Sequence, residues 1–218
     1  MSKNHTKGDN TKEKIYEEAF KLFMSKPYEL VTVRDIEKVI GKTRGAIFYH
    51  VKDKHDLFQK VIENYFLKHQ NIYEVLGKDI LEKDMTFLDF IDIYISMEGE
   101  RLSNLYAFLG VDENNADKKV FAKTNCSYLG LLFNTGYYLD DYNEKMEENY
   151  RMDKNTWSFF IQKAIERGEV KPNTNVKLFG EIFSSIYLGK AFVDAFSTGV
   201  DAQGAKQLFI ELYNKIKV

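Results

Sequence analysis

Residues 32–54 hold the side chains with the clearest chemistry. Arg44 carries a planar guanidinium able to donate two hydrogen bonds to O6 and N7 of a guanine, and Arg34 offers a second. Gly45 and Ala46 lack bulk, so a helix bearing them can approach base edges closely, and the Ala46 methyl can pack on a thymine methyl. Phe48, Tyr49 and His50 follow, with no apolar reason to face inward. This is a chemistry of recognition rather than of bond-making. For each arginine, a phosphate contact or plain solvent exposure is the competing reading.

Bond-making chemistry has no comparable cluster. His5, His50, His55 and His69 are scattered, and none stands at metal-ligand spacing. No phosphate-cradling glycine loop or G-x-S-x-G elbow is present, and Cys126 has no partner that sequence identifies. No catalytic residue, cofactor or metal is expected, and an enzyme would have to arise from scattered carboxylates.

The elements that position the recognition residues are two short helices. Thr32 with Asp35 forms a capping box, since each side chain can reach the other's free backbone N–H. Ile36, Val39 and Ile40 then recur at helical spacing, and Gly41 ends the helix as a left-handed residue would. Thr43 can cap the next helix, which carries only Ile47 and Val51 at inward spacing. The pattern fits a helix-turn-helix whose second helix enters a major groove. Periodicity alone does not separate this from a plain αα-hairpin.

The string T-V-R-D-I-E-K-V-I-G-K-T-R-G-A-I-F-Y-H-V-K-D-K resembles the signature of the tetracycline-repressor (TetR/AcrR) family of bacterial regulators. That signature runs roughly T-x-x-[DE]-I-A-x-x-A-G-V-[ST]-[KR]-G-[TA]-[LI]-Y-Y-H-F-x-[SD]-K, and the match needs no gap. Glu37 and Ile40 replace alanines, Lys42 a valine, Phe48 the first tyrosine and Val51 a phenylalanine. The resemblance covers about the first quarter of the chain; beyond it only the helical layout is similar. It implies that Tyr49 and His50 bind phosphate and that Thr32, Thr43 and Lys54 fix the head on the DNA backbone. Phe48 has no hydroxyl to donate, so any contact there is apolar.

Bulk properties suit that reading. The chain has 218 residues, 44% of them hydrophobic, enough for a sizeable core. Its two prolines, Pro27 and Pro172, leave long helices uninterrupted. One cysteine excludes an internal disulfide and suits a reducing cytosol. The N-terminus lacks a secretory pattern, and the longest uncharged run is shorter than a membrane span, so a cytoplasmic protein with no membrane contact is expected. Residues 1–60 hold 13 basic and 9 acidic residues, a balance of +4, and the remainder holds 18 and 24, a balance of −6. A basic head on an acidic body suits a module that meets phosphates at one end.

Taken in order, the chain reads as all-α. Residues 1–9 form a disordered arm. Asn10 with Glu13 caps a first helix, with Ile15, Ala19, Leu22 and Phe23 inward, which closes at Pro27. The helix-turn-helix domain is placed at 10–53 and a ligand-binding and dimerisation domain at 54–218. Asp53 with Asp56 caps a fourth helix reaching about Leu76, which in the family joins head to body. A fifth helix, capped by Thr86 and Asp89, carries Phe87, Ile91, Tyr94, Glu98, Leu102, Leu105 and Leu109 on one stripe. Further helices are expected at 116–139, 154–167, 175–196 and 202–217, with 140–153 a loop or short exposed helix.

The resemblance implies a homodimer through the last two helices, with Phe179, Phe183, Ile186, Val193, Leu208, Phe209 and Leu212 at the interface. It also implies an inducer cavity, for which Tyr94, Glu98, Tyr128, Asn134, Tyr137, Trp157 and Phe160 are the candidates; a core role competes for each aromatic. Glu98, an acid on an apolar stripe, is either exposed, paired with Arg101, or facing a cationic or hydroxyl-bearing ligand. The expected function is a transcriptional regulator bound to a double-stranded DNA operator, a repressor released by a small apolar or amphipathic effector. The alternatives are control by a protein partner and, least supported, an enzyme.

Overall fold

The computed structural model describes residues 7–67, 72, 76–197 and 199–218. Its α-helices are α1 (Lys7–Ser25), α2 (Val33–Ile40), α3 (Arg44–Phe48), α4 (Lys54–Tyr65), α5 (Phe87–Phe108), α6 (Lys118–Thr135), α7 (Tyr142–Glu166), α8 (Val176–Ala195) and α9 (Ala202–Ile216). The β pairing among the described residues is one antiparallel bridge, Val170 with Lys217. The all-α expectation holds.

The chain divides into two compact units, Met1–Lys68 with Gly130–Asp140, and His69–Leu129 with Asp141–Val218. The first unit takes in α4. Leu57, Phe58, Val61 and Ile62 of α4 are buried, and α1 packs on α4 within the first unit. Residues 130–140 join them: the Tyr138 ring meets that of Tyr28 at a tilt with centroids 4.6 Å apart, and its carbonyl lies 2.9 Å from His55 Nε2.

Local signals explain most helix ends. Thr32 and Thr86 each form the full capping box, with Asp35 and Asp89. Asp53 accepts the Asp56 N–H at 2.8 Å. Gly41 ends α2 at φ 67°, in the left-handed region that favours glycine. Asn10 is no cap, because α1 already runs from Lys7, so residues 7–9 are helical and only 1–6 of the expected arm lie outside the described residues. Described α4 ends at Tyr65; its expected extension falls on residues 68–71 and 73–75, outside the described set. Most of the polar stretch 140–153 is the start of α7 rather than a loop, so residues 142–153 belong to one long helix, Tyr142–Glu166.

The second unit is held by an aromatic core. Phe90 stacks on Phe160 at 3.8 Å, and Trp157 stacks on Phe183 at 5.0 Å, while Phe209 closes on both Trp157 and Phe183. Gly180 permits the tightest helix contact there. A Cβ at this position would lie 2.1 Å from Ser158 Oγ, so α7 and α8 meet only because the side chain is absent.

Candidate nucleic-acid interface and regulatory cavity

The helix-turn-helix has one buried and one open side. Ile36, Ile40, Ile47 and Val51 are buried, each at most 4% exposed. Val39, expected beside them, lies exposed on α2. The open side carries Arg34, Thr43, Arg44, Gly45 and Ala46, all exposed, with Tyr49 standing 86% clear of the protein. Phe48 and His50 are half-buried, and the Tyr49 and His50 rings meet edge to face at 5.2 Å. Thr32 is exposed at the start of α2.

Four local bonds fix the turn. Asp35 accepts from the Thr32 backbone and from Lys26 Nζ at 2.9 and 2.7 Å. These bonds, first the lysine's and then the threonine's, hold its carboxyl well below the usual carboxylate range. Thr43 accepts from the Ala46 N–H. Glu37 accepts the Arg44 backbone N–H at 2.6 Å, a contact that sequence reasoning missed. Its signal was the Glu in the signature's alanine position.

The Lys54 side chain is also engaged within the head. Its Nζ donates to the carbonyls of Tyr28 and Val31, both at 3.0 Å, and sits 4.1 Å over the Tyr28 ring. Two of its three donors are spent on the head's own backbone.

Gly45 has no packing reason to be glycine. A Cβ there would meet nothing within 4 Å. Glycine inside a helix is destabilising by roughly 0.5–1 kcal/mol relative to alanine, so what α3 gains is a bare outer surface.

The second unit contains a cavity of about 90 Å³. Helix α5 contributes Tyr94, Met97, Glu98 and Arg101; α7 contributes Met146, Asn149, Tyr150 and Asp153; α8 contributes Tyr187 and Leu188, and Ile72 completes it. Glu98 is 6% exposed and accepts from Arg101 Nη2 at 2.6 Å. The surface alternative for Glu98 is thereby closed. Burial pushes Asp153 up to about 7, against a hydrogen-bonding influence of Ser184 and with the Glu98 charge adding to the rise. Burial likewise drives the Tyr94 and Tyr187 hydroxyls far up.

Of the expected cavity residues, Tyr94 and Glu98 line it. Trp157 and Phe160 do not: at 0% and 2% exposure they are core. Asn134 and Tyr137 are exposed and belong to the other unit. Tyr128 is absent from the lining, although its charge state is felt by Arg101. The α7 residues were missed because the polar stretch hid their helical register.

The expected interface residues also divide. Phe183 and Phe209 are fully buried in the unit's own core, so they face no second copy. Phe179, Ile186 and Leu212 are partly buried against that core. Val193 and Leu208 are exposed, at 63% and 46%, and Leu178, Leu188, Phe192 and Phe196 are exposed along α8 with Val193. Gly189 lies exposed on the same helix, and a Cβ there would meet nothing.

Among the described residues no helix is long and apolar enough to cross a membrane, and no group of three or more His, Cys, Asp or Glu side chains could hold a metal ion.

Residues 15–61 match the family model described as "Bacterial regulatory proteins, tetR family". Over 52 residues the chain is 46% identical to the HTH-type transcriptional repressor AcnR of Corynebacterium glutamicum, a match covering 24% of this chain and 28% of that protein. Over 73 residues it is 36% identical to the HTH-type transcriptional regulator AcrR of Shigella flexneri, covering 34% of this chain and 33% of the other. The likeness to these curated relatives thus spans about a third of their length or less. A TetR-family regulator from Cytophaga hutchinsonii shares the fold over 99% of both chains, with a TM-score of 0.65 at 18% identity. Residues 15–61 thus carry the helix-turn-helix of the tetR family of bacterial regulatory proteins, on a chain whose fold is that of solved TetR-family regulators along its length.

Proposed function

We propose that this chain is a sequence-specific DNA-binding transcriptional repressor that acts as a homodimer in the cytoplasm and leaves its operator when a small ligand enters the α5–α7–α8 cavity. The observation that carries the reading is the two-sided α3: Ile47 is fully buried while Arg44, Gly45, Ala46 and Tyr49 face outward without an apolar reason. A short helix with a bare, basic and aromatic outer side fits a major groove. Relatives sharing the head are named as transcriptional repressors, which supports the sign of the effect.

In this reading Arg44 and Arg34 read base edges, Gly45 and Ala46 allow close approach, and Thr32, Thr43, Tyr49 and His50 hold phosphates. Phe48 makes an apolar contact. The exposed stripe Leu178, Leu188, Phe192, Val193 and Phe196, with Leu208, pairs with a second copy and sets the two heads on successive grooves, roughly 34–36 Å apart. Ligand binding lowers operator affinity by favouring a conformation in which that spacing is lost.

Selection of bound duplexes from a random pool tests this. The expected result is an enriched two-fold symmetric site, bound by the wild type and lost with Arg44→Ala. A pool that returns no enriched sequence would overturn the reading.

A further inference from the structure

The cavity's charges do not balance. Glu98 is matched by Arg101 at 2.6 Å, and Asp153 lines the same space, so two carboxylates share the one guanidinium of the lining. A second observation points the same way. The Tyr187 side chain, 2% exposed, lines the cavity with its hydroxyl close to Glu98 and Arg101, yet neither meets it with full hydrogen-bond geometry. A buried polar group left unmatched is destabilising unless something enters to meet it.

We propose that this cavity binds the ammonium head of a small organic monocation, with Glu98 and Asp153 meeting its charge and Tyr187 accepting one of its N–H bonds. The proposal rests on the regulator reading for its consequence, but the site stands on its own geometry. A volume of about 90 Å³ is several times the ~10–15 Å³ that one water needs. That admits an ammonium group and the carbons behind it. A primary ammonium has three N–H donors, and the cavity offers carboxylate and phenol oxygens to receive them. Tyr94, Met97 and Met146 supply the apolar and aromatic wall that a short alkyl chain and a cation favour.

The charge on Asp153 depends on what faces it. The titratable and charged groups around it are Tyr94, Glu98 and Arg101 on α5, Tyr150 on its own helix and Tyr187 on α8. Burial holds its carboxyl at about 7, so the empty cavity carries no net charge in mild acid and one negative charge in mild alkali. An alkylamine stays protonated across that range, as a lysine does. Binding therefore strengthens as pH rises and releases a proton.

Calorimetric titration of the full-length protein, without DNA, with n-hexylammonium chloride tests this, with tetramethylammonium chloride and sodium hexanoate as comparison probes. The expected result is saturable one-site binding of hexylammonium, about tenfold tighter at pH 8 than at pH 6, weaker binding of tetramethylammonium and none of hexanoate. Asp153→Asn and Glu98→Gln should each weaken hexylammonium by about tenfold to a hundredfold. Tyr187→Phe, which keeps the ring and the fold, should weaken hexylammonium and leave tetramethylammonium unchanged. No saturable binding by the wild type, equal binding of hexanoate, or indifference to both Asp153→Asn and Tyr187→Phe would overturn the proposal. Binding that proceeds but leaves operator affinity unchanged keeps the ammonium site and overturns only its regulatory role.

Discussion

The carboxylate of Glu37 accepts the backbone N–H of Arg44 at 2.6 Å. It thus places a negative charge at the start of the helix proposed to meet DNA, where a phosphate would otherwise be favoured. Glu37→Gln keeps an oxygen acceptor and removes the charge. DNA affinity should rise several-fold at low salt and converge on the wild type as salt is raised, because exposed charges are screened beyond about 10 Å at 0.1 M. Fluorescence anisotropy across a salt series measures this, and equal affinities at every salt would remove Glu37 from the electrostatics of the face.

Gly45→Ala separates folding from recognition. The added methyl meets nothing in the protein, so the melting temperature should rise with a gain of about 0.5–1 kcal/mol. Operator binding should fall, since the methyl stands between α3 and the bases. Unaltered binding would place the groove contact elsewhere.

Arg44→Ala and Lys54→Ala should fail in different ways. The arginine substitution should lose about 1–3 kcal/mol at one operator position and leave stability intact. The lysine substitution removes two hydrogen bonds and a cation–π contact that tie α4 to the Tyr28 turn. It should lower the unfolding free energy of the head by about 1–3 kcal/mol. Thermal unfolding set beside operator titration distinguishes them.

Core and interface on α8 are equally separable. Phe183→Ala opens a cavity beside Trp157 and should destabilise the subunit by about 3–5 kcal/mol. Phe192→Glu, on the exposed stripe, should leave the subunit folded and shift sedimentation from dimer to monomer. A dimer that survives Phe192→Glu would move the interface off this face.

Asp153 gives a stability profile with a definite sign. Its carboxyl is raised from 3.8 to about 7, so between those values the folded chain holds a proton that the unfolded chain has released. Stability falls as pH rises through that window and is flat above it. Asp153→Asn should therefore raise the melting temperature at pH 8 and change it little at pH 4. The ceiling is about 4 kcal/mol, lowered by the solvent that reaches this half-buried group. Equal gains at both pH values would contradict the assignment.

What could be read from residues alone follows from how local each signal is. The caps at Thr32, Thr43, Asp53 and Thr86, and the glycine stop at residue 41, depend on neighbours within a turn, and each stands as expected. The buried pair Ile47 and Val51 was legible because so few apolar residues follow Thr43, although Val51 lies past the end of α3. Phe183 and Phe209 misled because an apolar stripe does not say which of two apolar neighbours it meets. On α8 the core took one face and left the other bare. The cavity was half-legible through Glu98, whereas Asp153 lay in a charged run whose register became visible only once α7 was seen to begin at Tyr142.

The brevity of α3 bears on how a genome is searched. Five residues, Arg44–Phe48, rise only about 7.5 Å along the helix axis, the length of roughly two base steps. One such probe carries too little information to single out an address among millions of competing positions. Selectivity must come from demanding two short words at a fixed interval, which makes the interval itself the quantity that an effector has to disturb.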